Sequence, residues 1–381
     1  MQEYISFLKE LIKIDSVNPP GNEEKVARVI ADKLKKNSIE CKMRSLDSNR
    51  AYLIARLKGK GHKKSLIYCG HMDTVPPGDI SWKHQPFTAE EVNNCIYGRG
   101  ASDMKSGLAA LTIAMIEIAK SKVTLEGDLV LAATAGEEVD SLGARVMIED
   151  GILNDAGAMI IGEPTNNKIV VAHKGALWIE IISYGKTAHG SMPDQGINAI
   201  DNMNIFINTL NNKFKFKYRE DILLGIPTIN LGTINGGVRT NVVPDMCSLK
   251  IDIRTVPGQK HQEILHDIEV LLKDIEQNSN AKFDLKVLND LASVGTSKED
   301  SLIKLALSAA NELFNSEHDV NGVRYYTDAS VFVPKLGNNL PVLFYGPGNE
   351  TMAHKPDEYV EIDKYLDSIK FYRELAVRYL R

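Results

Sequence analysis

Side chains that can bind a metal ion or move a proton follow the ends of three short apolar runs in this sequence. His71 and Asp73 come directly after the first run, Glu137 and Glu138 follow the second, and Glu163 follows the third. In open α/β sheets, ligands bind outside the carboxyl ends of the strands. If the three runs are parallel strands, we expect these side chains to meet at one edge of a sheet.

Two further side chains fit the same edge. Asp103 ends a segment that contains Gly98 and Gly100, just ahead of a predicted helix, and His354 follows a fourth strand and a Gly-Pro-Gly turn. Imidazole and carboxylate ligands without thiolates suit Zn²⁺, Co²⁺ or Mn²⁺. The candidates outnumber the ligands of one tetrahedral catalytic ion, whereas two ions about 3.5–4 Å apart, bridged by one carboxylate, account for the number. The sequence therefore predicts a binuclear metal site.

Spacing within the segments separates their roles. Residues i and i+2 of an extended segment face the same way, so His71 can bind metal while Asp73 accepts the proton of the other ring nitrogen. Glu137 and Glu138 are neighbours whose side chains diverge, so one can bind metal while the other acts as general base on a metal-activated water. The expected chemistry is attack of that water on a polarised carbonyl group.

Composition excludes several classes of protein. The 381 residues are 43% hydrophobic and 25% charged, with a formal net charge of −5, and no long block of one charge forms a nucleic-acid-binding stripe. No apolar run approaches the ~18 residues of a membrane span. The four cysteines form no CxxC pair, and the first residues do not resemble a secretory signal. We expect a cytoplasmic protein that binds neither nucleic acid nor membrane.

Alternating elements in the first and last parts of the chain must position the candidate side chains. Hydrophobic patterns predict strands and helices in turn, with strands at Tyr52–Leu57, Leu66–Cys69, Asp128–Thr134, Ala158–Ile161 and Val342–Tyr345, and helices at Lys105–Lys120, Gly143–Asp150 and Ser301–Phe314. Short apolar strands that alternate with helices favour an α/β fold, with a mostly parallel sheet covered by helices on both faces.

The middle of the chain has a different pattern. Strands are predicted at Leu177–Tyr184, Pro227–Ile234, Asp245–Thr255 and Lys282–Leu288, and helices at Gln195–Asn212 and His261–Gln277. The order β-α-β-β-α-β is that of a ferredoxin-like α+β domain. We therefore expect one domain of residues 1–174 and 293–381, with a second domain of residues 175–292 inserted into it.

Together and in this order, the motifs resemble the M20 metallopeptidase family, and within it the acetylornithine deacetylase and succinyl-diaminopimelate desuccinylase branch. The resemblance covers nearly the whole chain and rests on His71-Met72-Asp73-Thr74-Val75-Pro76-Pro77, the segment from Tyr97 to Gly107, Ala135-Gly136-Glu137-Glu138, Gly162-Glu163-Pro164-Thr165 and the late His354. It implies a binuclear zinc or cobalt amidohydrolase that cleaves the amide bond of an N-acyl amino acid, of the N-acetylornithine or N-succinyl-diaminopimelate type. The alternative within the family is a dipeptidase or aminopeptidase that acts on short peptides.

The resemblance also implies a role for each site residue. One ion would be held by His71, Asp103 and Glu163, with Asp103 as the bridge, and the other by Glu138 and His354. Glu137 would be the general base, and Asp73 the partner of His71. The family further implies a cis peptide bond after Asp103, and an inserted domain that acts as a lid and mediates homodimerisation.

Four residues outside the metal motifs are further candidates by the same resemblance. His189, in Thr187-Ala188-His189-Gly190-Ser191, matches the histidine that helps form the oxyanion site, while Asn241 and Arg254 match segments that grip the substrate carboxylate. A forked guanidinium suits a carboxylate, although a surface ion pair also accounts for Arg254. Asp328 lies where desuccinylases carry a glycine-rich loop, but the flanking glycines and the arginine of that loop are absent here.

Other functional classes fit the sequence less well. A dinucleotide-binding loop needs glycine where Asp103 stands, and a serine hydrolase needs a Gly-x-Ser-x-Gly elbow that the chain lacks. A non-catalytic metal-binding member of the family would be expected to lack a ligand or the base, and both are present.

Overall fold

The computed structural model describes residues 1–337 and 339–381. The chain divides into two compact units, each with its own core. The first unit comprises Met1–Ala172, Gly295–Val323 and Thr327–Arg381, and the second comprises His173–Val294 together with Arg324–Tyr326.

The described residues form nine α-helices and sixteen strands, numbered in chain order. The helices are α1 (Gln2–Ile12), α2 (Glu23–Lys35), α3 (Lys105–Ser121), α4 (Leu142–Glu149), α5 (Ala199–Lys213), α6 (His261–Asn278), α7 (Ser301–Phe314), α8 (Ala329–Leu336) and α9 (Ile362–Leu380). The strands are β1 (Glu40–Asp47), β2 (Arg50–Leu57), β3 (Ser65–His71), β4 (Glu90–Val92), β5 (Cys95–Tyr97), β6 (Leu129–Thr134), β7 (Ala156–Ile161), β8 (Ile169–His173), β9 (Gly175–Tyr184), β10 (Thr228–Gly236), β11 (Met246–Thr255), β12 (Lys282–Leu291), β13 (Val294–Gly295), β14 (Val320–Val323), β15 (Val342–Phe344) and β16 (Tyr359–Glu361).

A large mixed sheet organises the first unit, and its centre is parallel. The strand order is β1-β2-β6-β3-β7-β15-β8-β13, with β14 paired to β8. Strand β3 runs parallel to both β6 and β7, and β15 runs parallel to β7, whereas β2 pairs antiparallel with β1 and β6. Every residue of β3 and β6 is buried, as expected for parallel strands covered on both faces. The predicted α/β class is confirmed.

Helix α3 carries the segment around Asp103 close to the end of β7. A Cβ atom on Gly107 would lie 1.8 Å from the carbonyl oxygen of Gly162, so the helix backbone can approach this strand end only because residue 107 is glycine. This close approach brings the first turn of α3 next to the residues that follow β7.

The second unit has the predicted β-α-β-β-α-β order. Its four strands form an antiparallel sheet in the order β10-β11-β9-β12, and α5 and α6 pack together on it. Alternate residues of β11 face the core, as the period-two pattern predicts: Cys247, Leu249, Ile251 and Ile253 are at most 1% exposed. Tyr326 belongs to this unit and packs edge-on against Trp178.

Some element boundaries differ from the prediction. The helix expected from Gln195 begins at Ala199, because Asn198 is its N-cap and accepts hydrogen bonds from the amides of Ile200 and Asp201. Pro193–Gln195 forms a separate 3₁₀ turn. Among the described residues, none of the helices combines the length and the apolar character that crossing a membrane requires.

Candidate metal centre

Three adjacent parallel strands end at the same edge of the sheet and bring the predicted ligands together. His71 is the last residue of β3, Glu138 lies four residues beyond the end of β6, and Glu163 lies two residues beyond the end of β7. Asp103 enters from the turn before α3, and His354 enters from the segment between β15 and β16. All five predicted metal ligands, two histidines and three carboxylates, therefore belong to the first unit.

Asp103 lies between the two imidazoles. Its Oδ1 is 3.2 Å from Nε2 of His71, and its Oδ2 is 3.5 Å from Nε2 of His354. The peptide bond after Asp103 is cis, as the resemblance implies. A carboxylate that presents one oxygen to each of two imidazoles has the arrangement expected of a bridge between two ions.

The two adjacent glutamates face different partners. Oε2 of Glu138 lies 3.0 Å from Nε2 of His354, whereas Oε2 of Glu137 lies 4.0 Å from Nε2 of His71. The divergence predicted for these neighbours is therefore present. Of the two glutamates, Glu138 is the one that contacts the His354 imidazole.

The distances between the candidate ligand atoms are close to those found around a divalent ion. Bonds of about 2.0–2.2 Å around a tetrahedral ion separate neighbouring ligand atoms by roughly 3.3–3.6 Å. The pairs formed by Asp103 with His71, Asp103 with His354 and Glu138 with His354 are separated by 3.2, 3.5 and 3.0 Å, so one lies within this range and the other two are shorter by up to about 0.3 Å. Ligand atoms of His71, Asp103 and Glu138 also lie within 4.8 Å of one another, so these side chains could share one ion.

Electrostatics in the pocket also favour a cation. Burial raises the pKa of Glu137 and of Glu163 well above the usual value; neighbouring carboxylates raise both further, although His71 opposes the rise. Burial opposes protonation of His71, but the carboxylates of Asp103 and Glu163 outweigh this effect and raise its pKa. Clustered buried carboxylates are costly unless a positive charge compensates them.

His71 has a different hydrogen-bond partner from the one expected. Its Nδ1 lies 3.0 Å from the backbone carbonyl oxygen of Asp73 and 3.6 Å from the Asp73 carboxylate, which is too far for a hydrogen bond. A carbonyl oxygen only accepts, so Nδ1 carries the proton and Nε2 is left to face Asp103. The backbone carbonyl of Asp73, and not its carboxylate, therefore fixes the orientation of the His71 ring.

A buried ion pair that the sequence reasoning missed holds the Asp103 turn. The carboxylate of Glu358 pairs with the guanidinium of Arg99 and accepts hydrogen bonds from the amides of Gly100, Ser102 and Asp103, at 3.2, 2.7 and 2.9 Å. Arg99 also donates to the carbonyl oxygens of Pro76 and Lys355. Pro76 lies five residues after His71, and Lys355 directly follows His354. The pair therefore ties together the three segments that carry His71, Asp103 and His354.

Three of the other predicted site residues belong to the second unit. His189 and Asn241 belong to the second unit, where His189 pairs with Val242 in a β-bridge and both side chains are exposed. Arg254, also in that unit, pairs with Asp252 at 2.9 Å. The ion pair offered as the alternative interpretation of Arg254 is thus present.

Asp328 lies in the first unit as the N-cap residue of α8, and it is 2% exposed. Burial raises its pKa to about 6; Asp73 contributes to the rise, while the nearby hydroxyls of Thr134 and Ser141 oppose it. This position makes Asp328 a buried neighbour of the ligand cluster.

The chain resembles known proteins over its full length. Residues 67–378 match the model of Peptidase family M20/M25/M40. A probable succinyl-diaminopimelate desuccinylase of Staphylococcus aureus (strain MSSA476) is 32% identical, with 100% of this chain and 98% of that protein covered. An acetylornithine deacetylase of Buchnera aphidicola subsp. Schizaphis graminum is 31% identical, with 98% and 97% covered.

Solved structures share the fold. An M20 family metallo-carboxypeptidase from Sulfolobus solfataricus superposes with a TM-score of 0.81 at 23% sequence identity, over 100% of this chain and 99% of that one. The family match and the full-length relatives confirm the resemblance found in the motifs. The chain belongs to peptidase family M20/M25/M40 and is a hydrolase of that family.

Proposed function

We propose that this hydrolase cleaves the amide bond of an N-acyl amino acid with the help of two divalent ions, zinc in the first place, with cobalt or manganese as alternatives. The observation that carries the proposal is Asp103, whose two carboxylate oxygens face two imidazole nitrogens at 3.2 and 3.5 Å. His71, Asp103 and Glu163 would hold one ion, and Asp103, Glu138 and His354 the other.

The chemistry divides between the ions and the protein. Bound ions would supply Lewis acidity that acidifies a water molecule and polarises the amide carbonyl. Glu137 is buried beside His71, and its carboxylate is placed to take a proton from the attacking water and pass it to the leaving amine. Glu138 contacts His354 instead, which supports its assignment as the ligand of the pair.

The substrate class rests on the relatives, whose names are probable succinyl-diaminopimelate desuccinylase and acetylornithine deacetylase. By the family resemblance, His189 would hold the oxyanion, and Arg254 and Asn241 would bind the substrate carboxylate. Arg254 suits this role because a guanidinium can grip a carboxylate with two nitrogens, and it lies 6.0 Å from the Tyr326 ring; its ion pair with Asp252 is the competing interpretation.

We further propose that the second unit is the lid and forms a homodimer through strand β10. This strand is at the edge of its sheet, and edge strands with exposed apolar side chains favour pairing with another chain. Leu231 and Ile234 of β10 are 37% and 53% exposed, and Ile200 and Ile205 of α5 are 40% and 42% exposed. Light scattering should give twice the chain mass of 42.2 kDa, and Ile234→Asp should shift the protein to monomer. A monomeric unsubstituted chain would refute the dimer.

The activity is tested by hydrolysis after metal removal. Chelator-stripped protein is re-supplied with Zn²⁺, Co²⁺ or Mn²⁺ and assayed on N-acetylornithine, N-succinyl-diaminopimelate, other N-acyl amino acids and dipeptides. Metal-dependent turnover of an N-acyl amino acid supports the proposal, and turnover of dipeptides alone supports the peptidase alternative. Failure to bind any divalent ion would overturn the metal assignment.

Cytoplasmic localisation stays a prediction from the sequence.

A further inference from the structure

The carboxylate of Asp73 is fully buried and has four hydrogen-bond donors, none of them from His71. Oδ1 accepts from the amides of Gly136 and Glu137 at 2.9 and 3.2 Å, and Oδ2 accepts from the amide of Glu138 at 3.3 Å. The fourth donor is Nδ2 of Asn18, at 3.0 Å from Oδ2. Asp73 therefore holds the backbone of the turn that carries Glu137 and Glu138.

Asn18 is fixed by the chain around it. Its amide donates to the carbonyl oxygen of Thr74 at 2.9 Å, and the amide of Thr74 donates to the carbonyl oxygen of Ser16 at 3.1 Å. The hydroxyl of Ser16 donates to the carbonyl oxygen of Met72 at 2.7 Å. These contacts hold residues 16–18 alongside residues 72–74, which directly follow β3. Asn18 itself is only 4% exposed.

We infer that Asn18 is a positioning residue for the catalytic turn, acting through Asp73. Two backbone donors occupy Oδ1, while Oδ2 has one long amide contact and the carboxamide of Asn18. Asn18 therefore supplies the shorter contact at Oδ2 and fixes the rotation of the carboxylate plane. A fixed carboxylate in turn fixes the three amides of residues 136–138, and with them the directions of the Glu137 and Glu138 side chains.

The Asp73 carboxylate thus has a different task from the predicted one, which was to orient His71. The backbone carbonyl of Asp73 orients His71, and the side chain of the same residue orients the glutamate turn. One residue thus couples the two sides of the pocket. The catalytic consequence rests on the proposed function, whereas the effect on the turn does not.

The first test is amide hydrogen exchange of the turn in metal-free protein, which needs neither metal nor activity. Asn18→Leu removes the carboxamide at similar volume. We expect amides 136–138 to exchange at least tenfold faster in this variant. Asn22→Leu is the matched control, because Nδ2 of Asn22 donates to a backbone carbonyl in the same segment, at 2.8 Å, without touching Asp73. Unchanged exchange in Asn18→Leu, or equal acceleration in Asn22→Leu, would overturn the inference.

The second test separates positioning from general loosening. With the substrate identified by the hydrolysis panel and the assay run at saturating metal, Asn18→Leu should lower kcat about tenfold and leave KM within about twofold, because the turn carries the base and a proposed metal ligand but none of the residues proposed to bind the substrate carboxylate. Full kcat in Asn18→Leu refutes the catalytic part. Should that variant not fold, Asn18→Ser, which keeps a shorter donor, should show smaller changes in the same direction in both tests. If the unsubstituted protein bound no metal, the proposed function would fail while the exchange experiment still decided the inference.

Discussion

Glu137 and Glu138 are adjacent in the chain, yet Glu138 meets the imidazole of His354 at 3.0 Å and Glu137 lies on the His71 side of the pocket. Substituting them should therefore have different effects. Glu137→Gln should keep both ions and lower kcat by about 10²–10⁴, since it removes the general base alone. Glu138→Gln should lower the affinity for one ion, measured by metal titration. Equal metal loss in both variants would contradict the division of roles.

Also at the residue scale, Glu358 compensates the buried Arg99 guanidinium and holds three amides of the Asp103 turn. Glu358→Gln leaves a buried charge unpaired, so we expect the free energy of unfolding to fall by about 3–5 kcal/mol, measured by urea unfolding. Glu299→Gln is the control, because the ion pair between Glu299 and Lys304 is exposed on both sides and its loss should lower the free energy of unfolding only slightly. An equally small effect in Glu358→Gln would show that the buried pair does not hold the turn.

The clustering of His71, Asp103, Glu138 and His354 could be predicted from sequence because each lies close to a recognisable strand or helix signal. Arg99 and Glu358 could not, because they are 259 positions apart and only the folded chain brings them within contact. Asn18 stands directly before two prolines, and nothing in the sequence around it indicates a chemical role. Its partner, the Asp73 carboxylate, could be predicted as a hydrogen-bond acceptor, but the direction it faces depends on how the turn after β6 folds back on β3.

At the scale of elements, the approach of α3 to the end of β7 depends on Gly107. In an ordinary helix, Gly→Ala is stabilising by up to about 1 kcal/mol. At position 107 the added Cβ would meet the carbonyl oxygen of Gly162 at 1.8 Å, so Gly107→Ala should instead destabilise by about 1–3 kcal/mol, measured by urea unfolding. Gly232→Ala is the control, because its Cβ would meet no atom closer than 3.5 Å. A stabilised Gly107→Ala would contradict the close approach.

Strands were predicted from sequence where the chain shows a period-two pattern, as in β11, or an apolar run directly before a polar segment, as in β3 and β6. Strand β11 alternates core and solvent residues along its length, and the period-two pattern reveals it. Strand β1 was missed because it is a largely exposed edge strand, so its side chains show no apolar alternation. Strand β8 was also missed, although its five residues are all buried, as those of β3 and β6 are.

At the scale of the whole molecule, pH should act on stability through His173, the first residue of the second unit, which is fully buried. Burial lowers its pKa to about 4, with a backbone hydrogen bond opposing the shift, whereas the unfolded chain titrates near its ordinary value of ~6.5. The unfolded state therefore binds the proton more tightly. The contribution to stability is complete above pH 6.5 and is lost as the pH falls towards 4.

For metal-free protein, this shift predicts that the free energy of unfolding falls by about 2 kcal/mol between pH 7.5 and pH 5 on account of His173 alone. Other groups titrate in the same range, so the informative quantity is the difference between the unsubstituted chain and His173→Gln, which has no ionisable group at this position. Urea unfolding at both pH values, followed by the fluorescence of Trp178 in the second unit and Trp82 in the first, measures that difference. His173→Gln should be less stable at pH 7.5 but less sensitive to acid. Equal sensitivity in both proteins would mean that the pKa of His173 is the same in the folded and the unfolded chain, which would contradict the prediction.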